Sequence, residues 1–120
     1  MHRRCREERG AATAELALGI PLLVALTAGL VWMLAVGAAQ VRVVDASREA
    51  ARIVARGDDV ASAEAVALRI APESARVTVH VGDAEVVVTT SARVTGPGGL
   101  LGALPGVTVS SESVAVVEQS

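Results

Sequence analysis

Residues 16–41, LALGIPLLVALTAGLVWMLAVGAAQV, carry no charged side chain. Written as a helix at about 1.5 Å per residue, that run is roughly 39 Å long. The hydrocarbon core of a bilayer is about 30 Å thick, so the run spans it with length to spare. The residues that follow are too few to wrap a helix that is apolar on every side and also bury their own surface. A membrane-crossing helix is therefore the first expectation. The alternative is a secretory signal cut at the small residues Gly37-Ala38-Ala39, although signal h-regions normally extend over only about 7–15 residues.

Outside that run the chain changes character. Before it, MHRRCREERG is short, polar and basic. After it, residues 43–120 hold six Arg and ten Asp or Glu. The whole chain of 120 residues has a net charge of −2, which gives no case for nucleic-acid binding. One Trp and no Phe or Tyr leave no aromatic platform for stacking bases or sugars. A single cysteine, Cys5, excludes an internal disulfide framework and a multi-cysteine zinc site. Two histidines leave little for acid–base or metal chemistry. Composition thus argues against an enzyme, and no cofactor is expected.

The junction ahead of the apolar run reads Arg9-Gly10-Ala11-Ala12-Thr13-Ala14-Glu15-Leu16. A carboxylate at the mouth of a membrane segment is costly to bury and is a functional candidate. The same Glu15 also suits the first turn of a helix, where the macrodipole favours an acid and where Thr13 would serve as N-cap. Gly10 stands five residues before Glu15. With a basic stretch before them and a long apolar helix after, the pair resembles the class III signal of type IV prepilins. The resemblance implies peptidase cleavage between Gly10 and Ala11, with Glu15 as the fifth residue of the mature chain. A side-chain-free glycine suits an extended backbone in a narrow cleft. The basic leader suits the anionic cytoplasmic leaflet. A free α-amine on Ala11 would give the Glu15 carboxylate of an adjacent subunit a partner.

The stretch GAATAELALGIPLLVALTAGLVWMLAVGAAQVRVVDASREAAR resembles the TadE family of the tight-adherence (Flp-type IV) pilus system, and most of all its actinobacterial branch. The matching elements are Gly10, Glu15, Pro21 within Ile20-Pro21-Leu22-Leu23, the long apolar helix, and the run Asp45-Ala46-Ser47-Arg48-Glu49-Ala50-Ala51-Arg52. Gly82-Asp83 and Leu104-Pro105 match elements of the β-rich tail found in that branch. Ala11 departs from the aromatic or Met common at mature pilin N-termini, and Leu16 stands where Phe is common. The resemblance implies a minor pilin or pseudopilin. Its partners would be a prepilin peptidase, other pilus subunits, assembly-platform membrane proteins and the lipid bilayer. It would be a single-pass cell-membrane protein with a cytoplasmic N-terminus and an extracytoplasmic head. Arginine counts on the two flanks of the helix are tied and do not settle that orientation. The competing class is a secreted or membrane-anchored binding module with no role in a filament.

Within the apolar run, Pro21 has no amide hydrogen and removes the helix bond to the Ala17 carbonyl, so a kink is expected near Gly19 and Pro21. Ala25 with Gly29, and Ala35 with Ala39, have the spacing that permits close helix contact. Trp32, near the middle of the run, reads as a packing residue.

Helical periodicity continues beyond the membrane run. Val43, Ala46, Ala50, Ile53 and Val54 share one face. Asp45–Arg48 and Glu49–Arg52 are possible ion pairs on a solvated face, each adding a few tenths of a kcal/mol. Gly57 ends the helix, and Asp58 or Asp59 caps a second one from Val60 to Ile70, with Val60, Ala63, Ala67 and Ile70 on one face and Pro72 beyond it. Strands follow: residues 75–81 alternate, Gly82-Asp83 turns the chain, and residues 84–94 return. A third strand is expected across residues 107–117, with a bulge near Ser110–Ser113 where the alternation changes phase. The Leu100–Leu104 stretch between the last two strands is read as a loop folding back over the sheet or, if exposed, as a candidate contact patch.

The expected architecture is α+β: a long N-terminal transmembrane helix, a short helix and a small three-stranded antiparallel head. The expected divisions are a leader at 1–10, a transmembrane helix at 11–41, its extension at 42–57 and the head at 58–120. No catalytic or metal constellation is found. His80 alternates with valines and points to solvent. Ser110, Ser111 and Ser113 form no nucleophile elbow. Gly96-Pro97-Gly98-Gly99 lacks the Lys and Ser/Thr of a phosphate loop.

Overall fold

The computed structural model describes residues 2–96 and 106–118. The Leu100–Leu104 stretch lies outside the described residues. The elements in order are α1 (His2–Ala55), α2 (Val60–Ile70), β1 (Arg76–Val81), β2 (Glu85–Val94) and β3 (Val107–Val116). By contacts the chain divides into two compact units, Met1–Met33 and Leu34–Ser120.

The first unit is the N-terminal part of α1. Its large apolar side chains are exposed: Leu18 is 77% accessible and Leu22 70%. The helix runs through Pro21 without interruption. Trp32, the single aromatic residue, is half-buried. Its indole Nε1 is shielded and has no hydrogen-bond partner among the described residues.

The second unit is a two-layer α+β structure, with the later part of α1 and all of α2 covering one face of an antiparallel sheet ordered β1-β2-β3. The helical spacing read in the sequence is the buried face: Val43, Ala46, Ala50, Ile53 and Val54 are all buried, as are Ala63 and Ala67 of α2. Alanine dominates the helical side of this core. Small side chains bring the helix backbone close to the sheet, where Val86 and Val88 fill the space. A second cluster joins Ala39 and Val43 of α1 to Ala92 and Val109 of the sheet.

The turns explain how the layers connect. Gly57 has φ +96°, in the left-handed region that glycine enters without steric cost. The Gly57 N–H donates to Val54 O at 3.0 Å and the Asp58 N–H to Ile53 O at 3.2 Å. This paired closure satisfies two of the carbonyls a helix end leaves open. The Ala55 carbonyl is satisfied by the Glu118 N–H at 3.1 Å, which ties the exit of β3 to the end of α1. Asp59 occupies the N-cap position of α2, but its side chain makes no capping bond. At the other end, Ala71 is extended ahead of Pro72, as the proline ring requires.

The sheet departs from expectation in two places. The hairpin between β1 and β2 turns on Asp83-Ala84, one residue later than Gly82-Asp83. Val81 pairs with Val86, and Gly82 N donates to Glu85 O at 2.8 Å, leaving two residues in the loop. The ladder between β2 and β3 is continuous from Glu85↔Val116 to Val94↔Val107, so there is no bulge at Ser110–Ser113. One unbroken register instead puts Ser111 and Ser113 on the helix-facing side and leaves Val114 and Val116 at 54% and 75% exposure. Ser111 is tolerated there because Ser47 of α1 lies 3.2 Å away, Oγ to Oγ.

β2 is longer than β1, and a side chain makes up the difference. The Ser74 hydroxyl donates to Arg93 O at 2.9 Å and accepts from the Arg93 N–H at 3.2 Å. The β1–β2 register would place residue 74 opposite residue 93, so Ser74 continues the ladder after the strand itself has ended.

Candidate functional site

Gly10, Ala11 and Glu15 lie on α1, all exposed. Among the described residues, nothing outside the helix approaches within 4 Å of where a Gly10 Cβ would stand. Thr13 is not an N-cap, because the helix begins far ahead of it. Its hydroxyl instead donates back to the Arg9 carbonyl at 2.8 Å. The Gly10–Ala11 bond is therefore helical. A glycine is worse than alanine in a helix by about 1 kcal/mol, so Gly10 is a cheap point at which to unwind the backbone. Ala11 and Glu15 are four residues apart and share one helix face. Glu15 makes no ion pair among the described residues.

The helix beyond this junction is the only candidate membrane span among the described residues. Pro21, six residues after Glu15, leaves the Ala17 carbonyl without its helical donor. Of the two small-residue pairs, Ala35–Ala39 is not free for helix–helix contact, because Ala39 is buried against Val43, Ala92 and Val109 of its own chain. Ala25 is exposed and Gly29 half-buried.

No group of three His, Cys, Asp or Glu side chains stands close enough to hold a metal ion among the described residues. His80 is exposed on the open face of the sheet, opposite Val87. The expected Asp45–Arg48 pair is not formed; Arg52 meets Glu49 at 3.4 Å and Arg56 meets Asp58 at 3.6 Å.

Sequence reasoning missed one feature. A groove of about 520 Å³ runs between α1 and β3, walled by Arg48, Arg52 and Arg56 on the helix and by residues 113–116 on the strand. The signal was present as arginines at i, i+4 and i+8, but without the strand beside them they read only as a solvated face.

Among the described residues, one helix long and apolar enough for a membrane anchor, carrying Gly10 and Glu15 near its start, is joined in one chain to a small α+β unit. Residues 10–52 match the family model described as TadE-like protein. Over those residues the chain is TadE-like, and the match begins at Gly10 itself. The apoptosis inhibitor Rv3655c of Mycobacterium tuberculosis is 48% identical to this chain over 79 residues, covering 66% of this chain and 57% of that protein. The chain thus spans a little over half the length of that curated relative. No solved structure matches the chain.

Proposed function

We propose that the chain is a membrane-anchored minor pilin or pseudopilin of a tight-adherence pilus, a structural part of that machine and not a catalytic one. The observation that carries the reading is the junction: Gly10 and Glu15, five residues apart, stand immediately before the apolar run and inside the TadE-like segment. A prepilin peptidase removes residues 1–10 from the cytoplasmic side, and Ala11 becomes the mature N-terminus. The apolar part of α1 holds the chain in the bilayer, and the α+β head lies outside the cytoplasm, where other pilus subunits and assembly-platform proteins meet it.

Helical geometry supports a role for Glu15 in assembly. Once Ala11 carries a free α-amine, Glu15 of the same chain is its i+4 neighbour, an exposed pairing of only a few tenths of a kcal/mol. In a bundle of helices the same carboxylate is withdrawn from water, and a neighbour's α-amine then relieves a much larger penalty. The weak internal pair gives way to the strong external one as a subunit docks. The axial register is set where the two charges meet.

N-terminal sequencing of protein from host membranes tests this directly. A start at Ala11 is expected. A start at Gln40 would mean a secreted protein, and an intact leader would mean an unprocessed anchor; either result overturns the reading. Gly10→Leu is expected to block the cut, so that the same sequencing still reads the leader. Glu15→Ala is expected to be inserted and cut like the wild type, yet to co-purify poorly with other pilus subunits.

A further inference from the structure

We infer that the groove between α1 and β3 binds an extended acidic peptide segment of a partner protein, which adds to the sheet as a fourth strand along β3. The argument starts from the hydrogen bonds β3 leaves unmade. β3 is an edge strand paired only with β2. The Val117 N–H donates to Ala84 O, so in an antiparallel ladder the odd-numbered residues of β3 bond inward and the even-numbered ones face outward. Two outward groups are already taken by α1. Gln40 Nε2 donates to Ser110 O at 3.2 Å, and the Glu118 N–H donates to Ala55 O at 3.1 Å. Between these two clasps, Glu112, Val114 and Val116 present backbone groups to the open edge with no further backbone partner among the described residues. A free edge of that length is a template for another strand.

The charge beside that edge selects the occupant. Arg48, Arg52 and Arg56 line the groove at successive turns of α1, against one acid in its wall, Glu118, so the lining is net positive. Arg48 makes no ion pair among the described residues, and the Arg52 and Arg56 side chains remain 68% and 53% exposed despite their single partners. Such exposed pairs are weak and are readily exchanged for a better acceptor. The spacing also fits. Residues four apart on a helix are about 6 Å apart along its axis, and alternate residues of a strand about 6.7 Å. A strand with carboxylates at every second position therefore meets the three guanidinium groups nearly in step, with backbone bonds to β3 on one side and charge on the other. A second copy of this chain is a poorer occupant. A second copy offers two edge strands: β1, whose Arg76 would set positive charge against positive, and β3, whose span Val107–Val116 holds one acid, Glu112, and none at alternate positions.

The test uses the full chain in nanodiscs of phosphatidylcholine and a labelled peptide, Glu-Val-Glu-Thr-Glu-Val, capped at both ends, with binding read by fluorescence anisotropy. Binding that weakens by about tenfold in the combined Arg48→Ser, Arg52→Ser, Arg56→Ser variant is expected, as is weakening when salt rises from about 50 to 300 mM. Because all three arginines are exposed, the variant should retain its far-UV circular dichroism. The same peptide with N-methylated backbone amides should bind at least about tenfold less well to the unaltered chain, since strand addition depends on main-chain bonds. Absence of binding, equal binding to the arginine variant, or equal binding of the N-methylated peptide would overturn the inference. A parallel series in nanodiscs containing phosphatidylglycerol distinguishes lipid from peptide. Retained peptide binding supports the groove as a protein site, whereas loss to the level of the arginine variant assigns the arginines to lipid headgroups and refutes it.

Discussion

α1 places two unlike sequences in one secondary structure. From Leu16 to Met33 its large apolar side chains point outward, with Leu18 at 77% and Met33 at 67% exposure. From Ala39 to Ala55 the apolar residues are smaller, mostly Ala and Val, and the face they form is covered by the sheet and α2. The backbone is the same in both, so the difference lies in the solvent each is built for. Where lipid is the solvent, bulk on every side is favourable and charge is excluded. Where a sheet is the neighbour, one face must be shallow enough for the layers to meet, and the other must be charged. Exposure of a leucine is a defect in the second setting and a requirement in the first.

An acid placed in each region should separate the two regimes most sharply. Val88→Asp puts an unpaired carboxylate in the middle of the sheet's buried face, where the cost is about 4 kcal/mol or more, comparable to the whole stability of a small head. Hydrogen exchange across β1–β3 should lose its protection. Leu26→Asp should leave that protection intact and instead impair membrane insertion, by about 3 kcal/mol at a helix centre, as read by carbonate extraction. If Leu26→Asp unfolded the head, the two parts of α1 would not be energetically separate. A size change makes a finer test. Ala50→Leu overfills the 0% accessible contact between α1 and the sheet and should cost about 1–3 kcal/mol in thermal unfolding followed at the amide band. Ala25→Leu, on an exposed part of the helix, should leave the midpoint unchanged. Smallest is Gly57→Ala, which asks a side chain to adopt φ +96° and should cost about 1–2 kcal/mol, with the loss confined to the second unit.

Much of this contrast was legible in the sequence because it rests on local rules. The charge-free run gave the first part of α1. The spacing of Val43, Ala46 and Ala50 gave the buried face of the second, and Val60–Ile70 matched α2 at both ends. What escaped depended on partners distant in the chain. Ser110–Ser113 looked like a bulge because the alternation of valines changes phase there, and only the presence of Ser47 across the core makes a serine at position 111 tolerable. The hairpin turn shifted by one residue because register is set jointly by two strands, and Gly82 proved to be a paired position and not a turn residue. Of the proposed site, Gly10, Glu15 and Pro21 were legible as spacing, whereas the arginine groove was not, since half of it is the backbone of β3.

Trp32 gives the two-part design an optical consequence. With no tyrosine or phenylalanine anywhere in the chain, near-ultraviolet absorption and intrinsic fluorescence arise from that one indole, on the lipid-adapted part of α1. Emission colour and quenching by brominated lipids therefore report the surroundings of this residue alone, without any label. The sheet and α2 are dark in the same experiment, so events in the bilayer can be watched against no background from the rest of the molecule.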